Sequence, residues 1–384
     1  MTGPRIAAVH DWLDTWRGGE NVLAEIVRAY PQADLFALVD FLPEAQRPHL
    51  LDKRAHTTFL QRIPGARRHF RLLLPLFPRA IESLDVSVYD VVISSSHAVA
   101  KGVRTSSTQL HICYCHTPMR YAWDLRDQYL AANGLAAGVR GALVHRVLDR
   151  LRDWDRRTST RVTQFIANSQ FVRDRIARCY DRTATVIHPP VDTEFFTPAT
   201  DAAPDTRDYY FAASRWVPYK RMDLIAAAFR ALPERRLIVA GDGPEAARVR
   251  RAAGPNVEFV GEVSRERMRD LLRGARAFVF AAEEDFGILP VEAQACGVPV
   301  IAYGQGGARE TVRTRAAGRP TGLFFDLQSP EAIADAVRRF EQETPAIDPR
   351  DCREHALRFS TPRFAREFTA FVEHAWSTFA PGRR

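Results

Sequence analysis

Hydrophobic positions in the first half of the chain form short apolar runs that are separated by longer amphipathic stretches. The run Ile6-Ala7-Ala8-Val9 has no polar alternation, which is typical of a strand buried on both faces of a parallel sheet. Strands are predicted at 5–10, 34–39, 90–94, 110–115, 164–168 and 185–188, with helices between them that include 20–30 and 138–160. This alternation predicts a parallel α/β sheet.

The same alternation begins again after a proline-rich segment. Residues 188–206 contain four prolines and show no hydrophobic period, which is typical of a linker. Further strands are predicted at 209–213, 236–240, 257–260, 277–282, 299–302 and 322–325. The predicted fold class is therefore α/β, with two Rossmann-like doubly wound domains facing each other across a cleft and ligands outside the carboxyl ends of the strands.

The pattern also sets the expected domain boundaries. The first domain is predicted to span 1–190, the linker 191–206 and the second domain 207–360. Residues 361–384 are predicted to form a C-terminal helix that packs back on the first domain. A chain of 384 residues fits two domains of roughly 150–200 residues each.

Composition is that of a soluble globular protein, with 46% hydrophobic and 26% charged residues. No apolar run approaches the roughly 20 residues that a spanning helix needs, and the first residues lack the pattern of a signal peptide. We therefore expect a cytoplasmic location. The five cysteines form no CxxC pair, and Cys113 and Cys115 are expected to be reduced core residues rather than zinc ligands or half-cystines.

The formal net charge of +8 leaves nucleic acid, anionic lipid and phosphorylated ligands as classes of partner. Nearly all of the cations are arginine. Lys53, Lys101 and Lys220 are the only lysines in the sequence. A lysine in such a chain suggests a compact point charge, so Lys220 and the nearby Arg215, both in the loop after strand 209–213, are candidates for binding an anion. A solvated loop charge is the alternative.

Two carboxylates bracket a glycine turn after another predicted strand. Glu284 precedes and Glu292 follows the sequence Phe286-Gly287-Ile288, and a helix is predicted to begin with Pro290. Glu292 in the first turn of that helix would be stabilised by about 0.3–1 kcal/mol without any ligand, and Glu284 would simply be exposed. The same arrangement suits a ligand with an anionic centre and hydroxylated ends, because free amides bind phosphate and carboxylates accept hydrogen bonds from sugar hydroxyls.

Glycines mark several other strand ends. The turns of interest contain Gly18, Gly19, Gly241 and Gly261, and none belongs to a GxGxxG dinucleotide motif. A single turn of this kind usually reflects turn geometry alone, whereas turns at successive strand ends of two domains favour a ligand site.

The stretch HICYCHTPMRYAWD places His116 just past a buried strand, so its ring is expected to point out of the strand end. Tyr121 and Trp123 offer flat apolar faces and Asp124 offers an acceptor, a combination suited to a sugar. A structural role for the lone histidine is the alternative.

Taken in order, these motifs resemble those of the retaining glycosyltransferases of family 4, which have the GT-B fold. The matching stretches are Gly18-Gly19, CHTP with His116, SRWVPYKRMDLIAAAF, VAGDGPE, EEDFGILPVEAQACGVPVIA and GGARETV. They span nearly the whole chain in the family's order. The motif with two glutamates is the most specific of them.

The resemblance implies a role for each matching residue. Arg215 and Lys220 would bind the donor diphosphate and stabilise the departing nucleotide. Glu284 would hold hydroxyls of the donor sugar, and Glu292 the ribose. The expected catalytic residues are His116, Arg215, Lys220 and Glu284; the expected donor-binding residues are Gly19, Gly241, Gly261, Phe286, Gly287, Ile288 and Glu292; and the expected acceptor or sugar contacts are Gly18, Tyr121, Trp123 and Asp124.

The resemblance also implies the substrates. The stretches HTPMRYAWD and EEDFGILPVEA resemble bacterial mannosyltransferases that use GDP-mannose in O-antigen or exopolysaccharide synthesis, with glucose or galactose carried by UDP as the alternative. The donor would bind to the second domain, and a lipid-linked saccharide acceptor to the first. No metal or other cofactor is expected, because the basic pair would take the place of a cation. Retention of anomeric configuration is implied by the family.

A basic and apolar segment offers a membrane contact. Residues 62–81 combine five arginines with six leucine and phenylalanine side chains, which suits an interface with anionic head groups at the inner face of the plasma membrane. A segment packed into the first domain with ordinary surface arginines is the alternative.

Two rival functions make different demands on the sequence. A phosphorylase of the same fold would need a pyridoxal-bearing lysine in its second domain, where Lys220 is the only lysine. A nucleic-acid-binding protein would cluster its arginines around aromatic platforms, whereas these arginines are spread along the predicted helices. No nucleic-acid partner is therefore expected.

Overall fold

The computed structural model describes residues 3–124, 126, 130, 138–199, 208–343 and 347–379. The chain forms two compact units, of which one comprises Met1–Pro190 with Phe364–Arg384 and the other Val191–Arg363. The segment predicted as a linker is described only in its first part. There, Val191 and Phe196 are buried in the second unit, and residues 200–206 lie outside the described residues.

The first unit contains a seven-stranded parallel sheet with the order β3-β2-β1-β4-β5-β6-β7. Its strands are β1 (Ile6–His10), β2 (Asp34–Ala37), β3 (His56–Thr57), β4 (Val91–Ser96), β5 (Leu110–Cys115), β6 (Gln164–Ala167) and β7 (Ala184–Val186). The described residues before 190 include the α-helices α1 (Gly18–Ala29), α2 (Ala66–His69), α3 (Phe77–Ile81), α4 (Gly138–Thr158) and α5 (Gln170–Tyr180). The strand order reverses between β1 and β4, which creates a switch point.

The second unit contains a six-stranded parallel sheet with the order β10-β9-β8-β11-β12-β13. Its strands are β8 (Tyr209–Ala213), β9 (Arg236–Ala240), β10 (Val257–Gly261), β11 (Ala275–Phe280), β12 (Val300–Tyr303) and β13 (Gly322–Phe325). The remaining helices are α6 (Met222–Arg230), α7 (Ala246–Ala252), α8 (Arg265–Arg273), α9 (Ile288–Ala295), α10 (Ala308–Thr311), α11 (Pro330–Glu343), α12 (Pro349–Leu357) and α13 (Thr361–Phe379). Here the switch point lies between β8 and β11.

Apolar side chains cover both faces of the first sheet, as a parallel sheet requires. On one face, α1 packs through residues such as Val22 and Ile26, and α13 through a single stripe at helical spacing, formed by Phe364, Phe368, Val372 and Ala375. On the other face, the core includes Phe70, Phe77, Leu148 and Trp154, from the segment 62–81 and from α4. Residues 380–384, at the end of the predicted C-terminal helix, lie outside the described residues.

A buried ion pair lies inside the first unit. Lys101 is 1% exposed and Asp155 is fully buried, and the Lys101 Nζ lies 2.7 Å from Oδ1 of Asp155. The ammonium also donates to the Asp155 carbonyl and to Oγ1 of Thr158. The second carboxylate oxygen accepts hydrogen bonds from the Trp123 indole and the Tyr180 hydroxyl.

The prediction of two Rossmann-like doubly wound sheets is confirmed by both strand orders. The predicted strands all occur, within a few residues of their predicted ends, and the short strand β3 was not predicted. All five cysteines are free and buried. Among the described residues, no helix is long and apolar enough to cross a membrane.

Candidate functional site

The carboxyl ends of three strands bring three histidines together in the first unit. His10 ends β1, His97 follows β4 and His116 follows β5. The His97 ring centroid lies 6.1 Å from that of His10 and 6.3 Å from that of His116. The cluster therefore lies at the switch point of the first sheet, where open α/β sheets bind ligands.

A buried carboxylate anchors this cluster. Asp11 accepts hydrogen bonds from the four consecutive backbone amides of residues 97–100, at 2.5 to 3.0 Å, and lies 2.9 Å from Nδ1 of His97. Burial alone would raise the pKa of Asp11, but His97 and the amides hold it well below its usual range. Burial likewise would lower the pKa of His97, but the Asp11 carboxylate raises it. A lasting negative charge thus fixes the loop after β4 to the end of β1.

His116 is connected to His10 through a serine. The Ser95 Oγ lies 2.9 Å from Nε2 of His116 and 3.1 Å from Nδ1 of His10. Desolvation lowers the pKa of His116 to about 3, and the neighbouring His97 and His10 act in the same direction. The His116 imidazole is therefore neutral at physiological pH.

The glycines after β1 belong to helix α1, which begins at Gly18 rather than at the predicted residue 20. A Cβ added at Gly19 would lie 3.8 Å from the rings of both His10 and His116, which is ordinary contact. The backbone does not require glycine here. Glycine places no side chain over these rings, of which His10 is fully buried and His116 partly exposed.

Three predicted sugar contacts have protein partners in the first unit. The Trp123 indole donates to Asp155, and Tyr121 packs against the core. The Asp124 carboxylate pairs with Arg175 at 2.5 Å and with Arg178 at 3.1 Å. These contacts give all three residues structural roles that the sequence analysis did not foresee.

In the second unit, the predicted basic and acidic residues meet at the switch point between β8 and β11. Arg215, two residues beyond β8, is exposed, and Lys220 ends the 3-10 turn Pro218–Lys220. The Lys220 ammonium forms an ion pair with the Glu284 carboxylate in the loop after β11. Their side chains are 16% and 20% exposed, so the pair is partly desolvated and still open to a ligand.

Glycines allow close backbone contacts around this pair. A Cβ at Gly241, whose φ is +108°, would lie 1.9 Å from the Ser214 carbonyl oxygen, so only glycine lets the turn after β9 approach the loop that carries Arg215. A Cβ at Gly306 would lie 2.4 Å from the Glu284 carbonyl oxygen, and the Gly307 amide donates to that same oxygen at 2.8 Å. The loop after β12 thus packs against the backbone of Glu284 and holds it in place.

The turn between the two glutamates differs from its predicted form. Helix α9 begins at Ile288, two residues before Pro290, and Gly287 is its left-handed N-cap with φ of +88°. Glu292 is therefore the fifth residue of the helix and not in its first turn as predicted, which removes most of the expected benefit of a helix N-terminus. Phe286 is 3% exposed and packs edge-on against Phe359, so it is a core residue in this structure.

The Glu292 side chain is half-buried, and its carboxylate is only partly desolvated. Burial raises its pKa to about 7, with Arg265 opposing the shift and Asp192 adding to it. No hydrogen bond to this carboxylate occurs among the residues described. A partly desolvated carboxylate of this kind is an acceptor available to hydroxyl groups of a ligand.

Sequence reasoning left out several of these residues. His10, Asp11, Ser95 and His97 were not predicted as site residues, although His10 and Asp11 directly follow the first apolar run. Gly261, which was predicted, has φ of +70° with open space beside it. In the described part of the chain, no group of three or more His, Cys, Asp or Glu side chains could hold a metal ion.

Solved structures of similar fold cover nearly the whole chain. Sucrose-phosphate synthase from Thermosynechococcus elongatus has a TM-score of 0.72 at 19% identity, covering 97% of this chain and 100% of that one. HepE of Anabaena, solved with UDP and glucose, has a TM-score of 0.69 at 17% identity, again covering 97% and 100%. At such identities the likeness concerns the fold alone, and it confirms the GT-B assignment.

Sequence relatives match about half of the chain. A GDP-mannose-dependent monoacylated alpha-(1-6)-phosphatidylinositol monomannoside mannosyltransferase of Corynebacterium glutamicum is 34% identical over 214 residues, which are 48% of this chain and 56% of that protein. A D-inositol 3-phosphate glycosyltransferase of Mycolicibacterium smegmatis is 30% identical over 213 residues, 50% of this chain and 48% of that protein. The chain thus spans about half the length of these relatives.

Two family descriptions together cover most of the sequence. Residues 16–195 match Glycosyltransferase Family 4, and residues 195–359 match Glycosyl transferases group 1. The first match contains His97 and His116 of the histidine cluster, and the second contains Lys220, Glu284 and Glu292. The chain therefore belongs to the glycosyltransferases, with a family 4 region followed by a group 1 region.

Proposed function

We propose that this protein transfers a hexose from a nucleotide sugar, with GDP-mannose as the favoured donor, onto a lipid-linked or polysaccharide acceptor with retention of configuration. The observation that carries the proposal is the charge arrangement at the switch point of the second unit. There Lys220 and Glu284 are paired, and the half-buried Glu292 carboxylate receives no hydrogen bond from any described residue.

Each of these groups suits one part of a nucleotide sugar. The cations Arg215 and Lys220 would neutralise the diphosphate and the charge that develops on it as the glycosidic bond breaks. Glu284 would accept hydrogen bonds from the sugar, and Glu292 from the ribose. The leaving phosphate would take the proton of the acceptor hydroxyl, so the proposal assigns no protein side chain as general base.

GDP-mannose is favoured because the relative from Corynebacterium glutamicum is described as GDP-mannose-dependent and acts on a phosphatidylinositol mannoside. A UDP-dependent glucosyl or galactosyl transfer is the second candidate, since HepE was solved with UDP and glucose. The relative affinities for GDP-mannose and for the UDP-linked sugars decide between the two donors.

Thermal stabilisation by GDP, UDP and ADP, each alone and as its sugar nucleotide, tests the donor site. A ligand at 100 times its Kd should stabilise the protein by about 2.7 kcal/mol, and we expect GDP and GDP-mannose to give the largest shifts. A larger response to UDP would make the second candidate correct. A protein that responds to none of the six compounds would refute the proposed site.

Glu292→Gln supplies an internal control for the same experiment. In the folded protein the pKa of Glu292 is about 7, above the ordinary value of 4.5. The folded state therefore holds this proton more tightly than the unfolded chain does. The contribution of this group to folding stability is highest at acidic pH and is lost as the pH rises through 7. At pH 8 the variant should therefore melt higher than the wild type without ligand, yet respond less to nucleotide. Weaker binding could then not be ascribed to a damaged fold.

The segment 62–81 is proposed to place the enzyme on an anionic membrane surface. Leu72 is 77% and Leu76 is 40% exposed, and exposed arginines that include Arg67, Arg68 and Arg71 surround them, while Phe70 and Phe77 anchor the segment in the core. Exposed leucines beside cations suit the boundary between head groups and acyl chains.

Replacing Leu72 with aspartate is expected to lower affinity for vesicles that contain phosphatidylglycerol by about tenfold, because one leucine loses its burial and one negative charge is added. Vesicle sedimentation measures this. Leu327→Asp is the matched control, since Leu327 is 69% exposed in the second unit. Equal effects of both substitutions would count against a membrane contact at 62–81.

A further inference from the structure

Hydrogen bonds join His10, Ser95 and His116 in the first unit, and the Glu20 carboxylate faces the His10 end of this series without a hydrogen bond to it. The Glu20 Oε1 lies 3.8 Å from Nε2 of His10, and Ser95 connects Nδ1 of His10 to Nε2 of His116 at the distances given above. Glu20 is 4% exposed, while His10 and Ser95 are fully buried. Only the last member, His116, is partly exposed.

The series has a direction because each group has a limited number of protons. A neutral imidazole carries a single N–H, and a serine hydroxyl donates once. The Glu20 carboxylate is too far from Nε2 of His10 for a hydrogen bond, but its negative charge at 3.8 Å favours the His10 proton on that facing nitrogen. Nδ1 of His10 is then an acceptor and takes the Ser95 proton. The Ser95 oxygen is left to accept from His116, which requires a proton on Nε2 of His116.

We propose that Glu20, His10 and Ser95 are positioning residues that hold the proton of His116 on Nε2, so that its Nδ1 serves as a hydrogen-bond acceptor for a ligand hydroxyl. No described residue bonds to this Nδ1, and the His116 side chain is partly exposed. Such an acceptor selects a group that carries a proton, as a hydroxyl does and an ionised phosphate oxygen does not. The identification of that group as a sugar hydroxyl rests on the proposed function.

Long-range ¹⁵N–¹H NMR of the histidine rings in the full chain measures the tautomer directly. We expect the wild type to show His116 protonated on Nε2 and bare on Nδ1. Ser95→Ala should abolish this preference. Ser94→Ala is the matched control, because Ser94 precedes Ser95 in β4, is equally buried, and bonds to Nε2 of His111 at 2.9 Å instead.

Glu20→Gln is the second variant. Glutamine keeps the acceptor for the Arg17 amide, which Glu20 binds at 2.8 Å at the start of α1, but it removes the charge that orients His10. We expect a mixture of His116 tautomers in this variant. In Ser95→Ala, we also expect kcat to fall by about tenfold, the worth of one hydrogen bond, with Ser94→Ala near the wild-type value.

Different results would refute the positioning role, its link to the reaction and the proposed function. A proton on Nδ1 of wild-type His116, or a tautomer that neither Ser95→Ala nor Glu20→Gln alters, would overturn the positioning role whatever the activity. Unchanged kcat in Ser95→Ala would overturn its link to the reaction. Lack of turnover with every sugar nucleotide would instead refute the proposed function, since the NMR measurement needs no donor.

Discussion

Replacing Glu284 with glutamine is expected to slow sugar transfer by about 10²–10³-fold while strengthening the binding of the free nucleoside diphosphate. The carboxylate would contact the sugar as it leaves the diphosphate, and losing one such preorganised contact has a cost of this size. The same carboxylate pairs with Lys220 in the structure. Without it, the lysine charge is available to a diphosphate, and a gain of about fivefold in affinity corresponds to one partly exposed ion pair.

Lys220→Met is expected to differ from Glu284→Gln in its effect on nucleotide binding. It should lower transfer by a similar factor and also weaken the diphosphate, because a cation is removed from the anion site. Initial rates of nucleotide release from the preferred sugar nucleotide and calorimetric titration of the free nucleotide separate the two variants. Weaker diphosphate binding in Glu284→Gln would contradict the assignment of Lys220 to the diphosphate and Glu284 to the sugar of the same donor.

Replacing Lys101 with methionine is expected to lower the free energy of unfolding by about 3–5 kcal/mol, since it leaves the fully buried Asp155 carboxylate without its counter-ion. Methionine has a similar length, so the loss reflects charge more than volume. The indole of Trp123 and the hydroxyl of Tyr180 would still donate to Asp155 and would keep the residue in place. Chemical denaturation of the whole protein measures the change.

The other lysine of the first unit serves as the control. Lys53 is half-buried near the surface, and Lys53→Met should change the unfolding free energy by no more than about 0.5 kcal/mol. Similar losses in the Lys53 and Lys101 variants would mean that the buried pair is not a special source of stability.

Most of the fold could be predicted because parallel strands are buried on both faces. Runs such as Ile6–Val9 and Leu237–Ala240 are apolar throughout, and they stand out from the amphipathic helices between them. Strand β3, with only two residues, is too short to produce such a run. The start of α9 was placed at Pro290 because proline favours a first helical turn, but Gly287, in a left-handed conformation, already begins the helix at Ile288.

Candidate site residues could be picked from the sequence where a rare or charged residue stands beside a turn. Lys220 and Glu284 stood out as a rare lysine and an acid beside a glycine turn, and the structure pairs them. The histidine cluster was not predicted, because His10, Ser95 and His116 are far apart in sequence and only the pairing of β1 with β4 and of β4 with β5 joins them. The hydrogen bond of Trp123 to Asp155 was not predicted for a related reason, since the two residues lie 32 positions apart.

The return of α13 to the first unit has a consequence during synthesis on the ribosome. Phe364, Phe368, Val372 and Ala375 cover one face of a sheet whose strands are complete by residue 186. At typical translation rates of about 5–20 residues per second, that face waits on the order of 10–40 s for its last helix. For that interval the nascent chain carries an open apolar surface, which is the kind of surface that chaperones recognise.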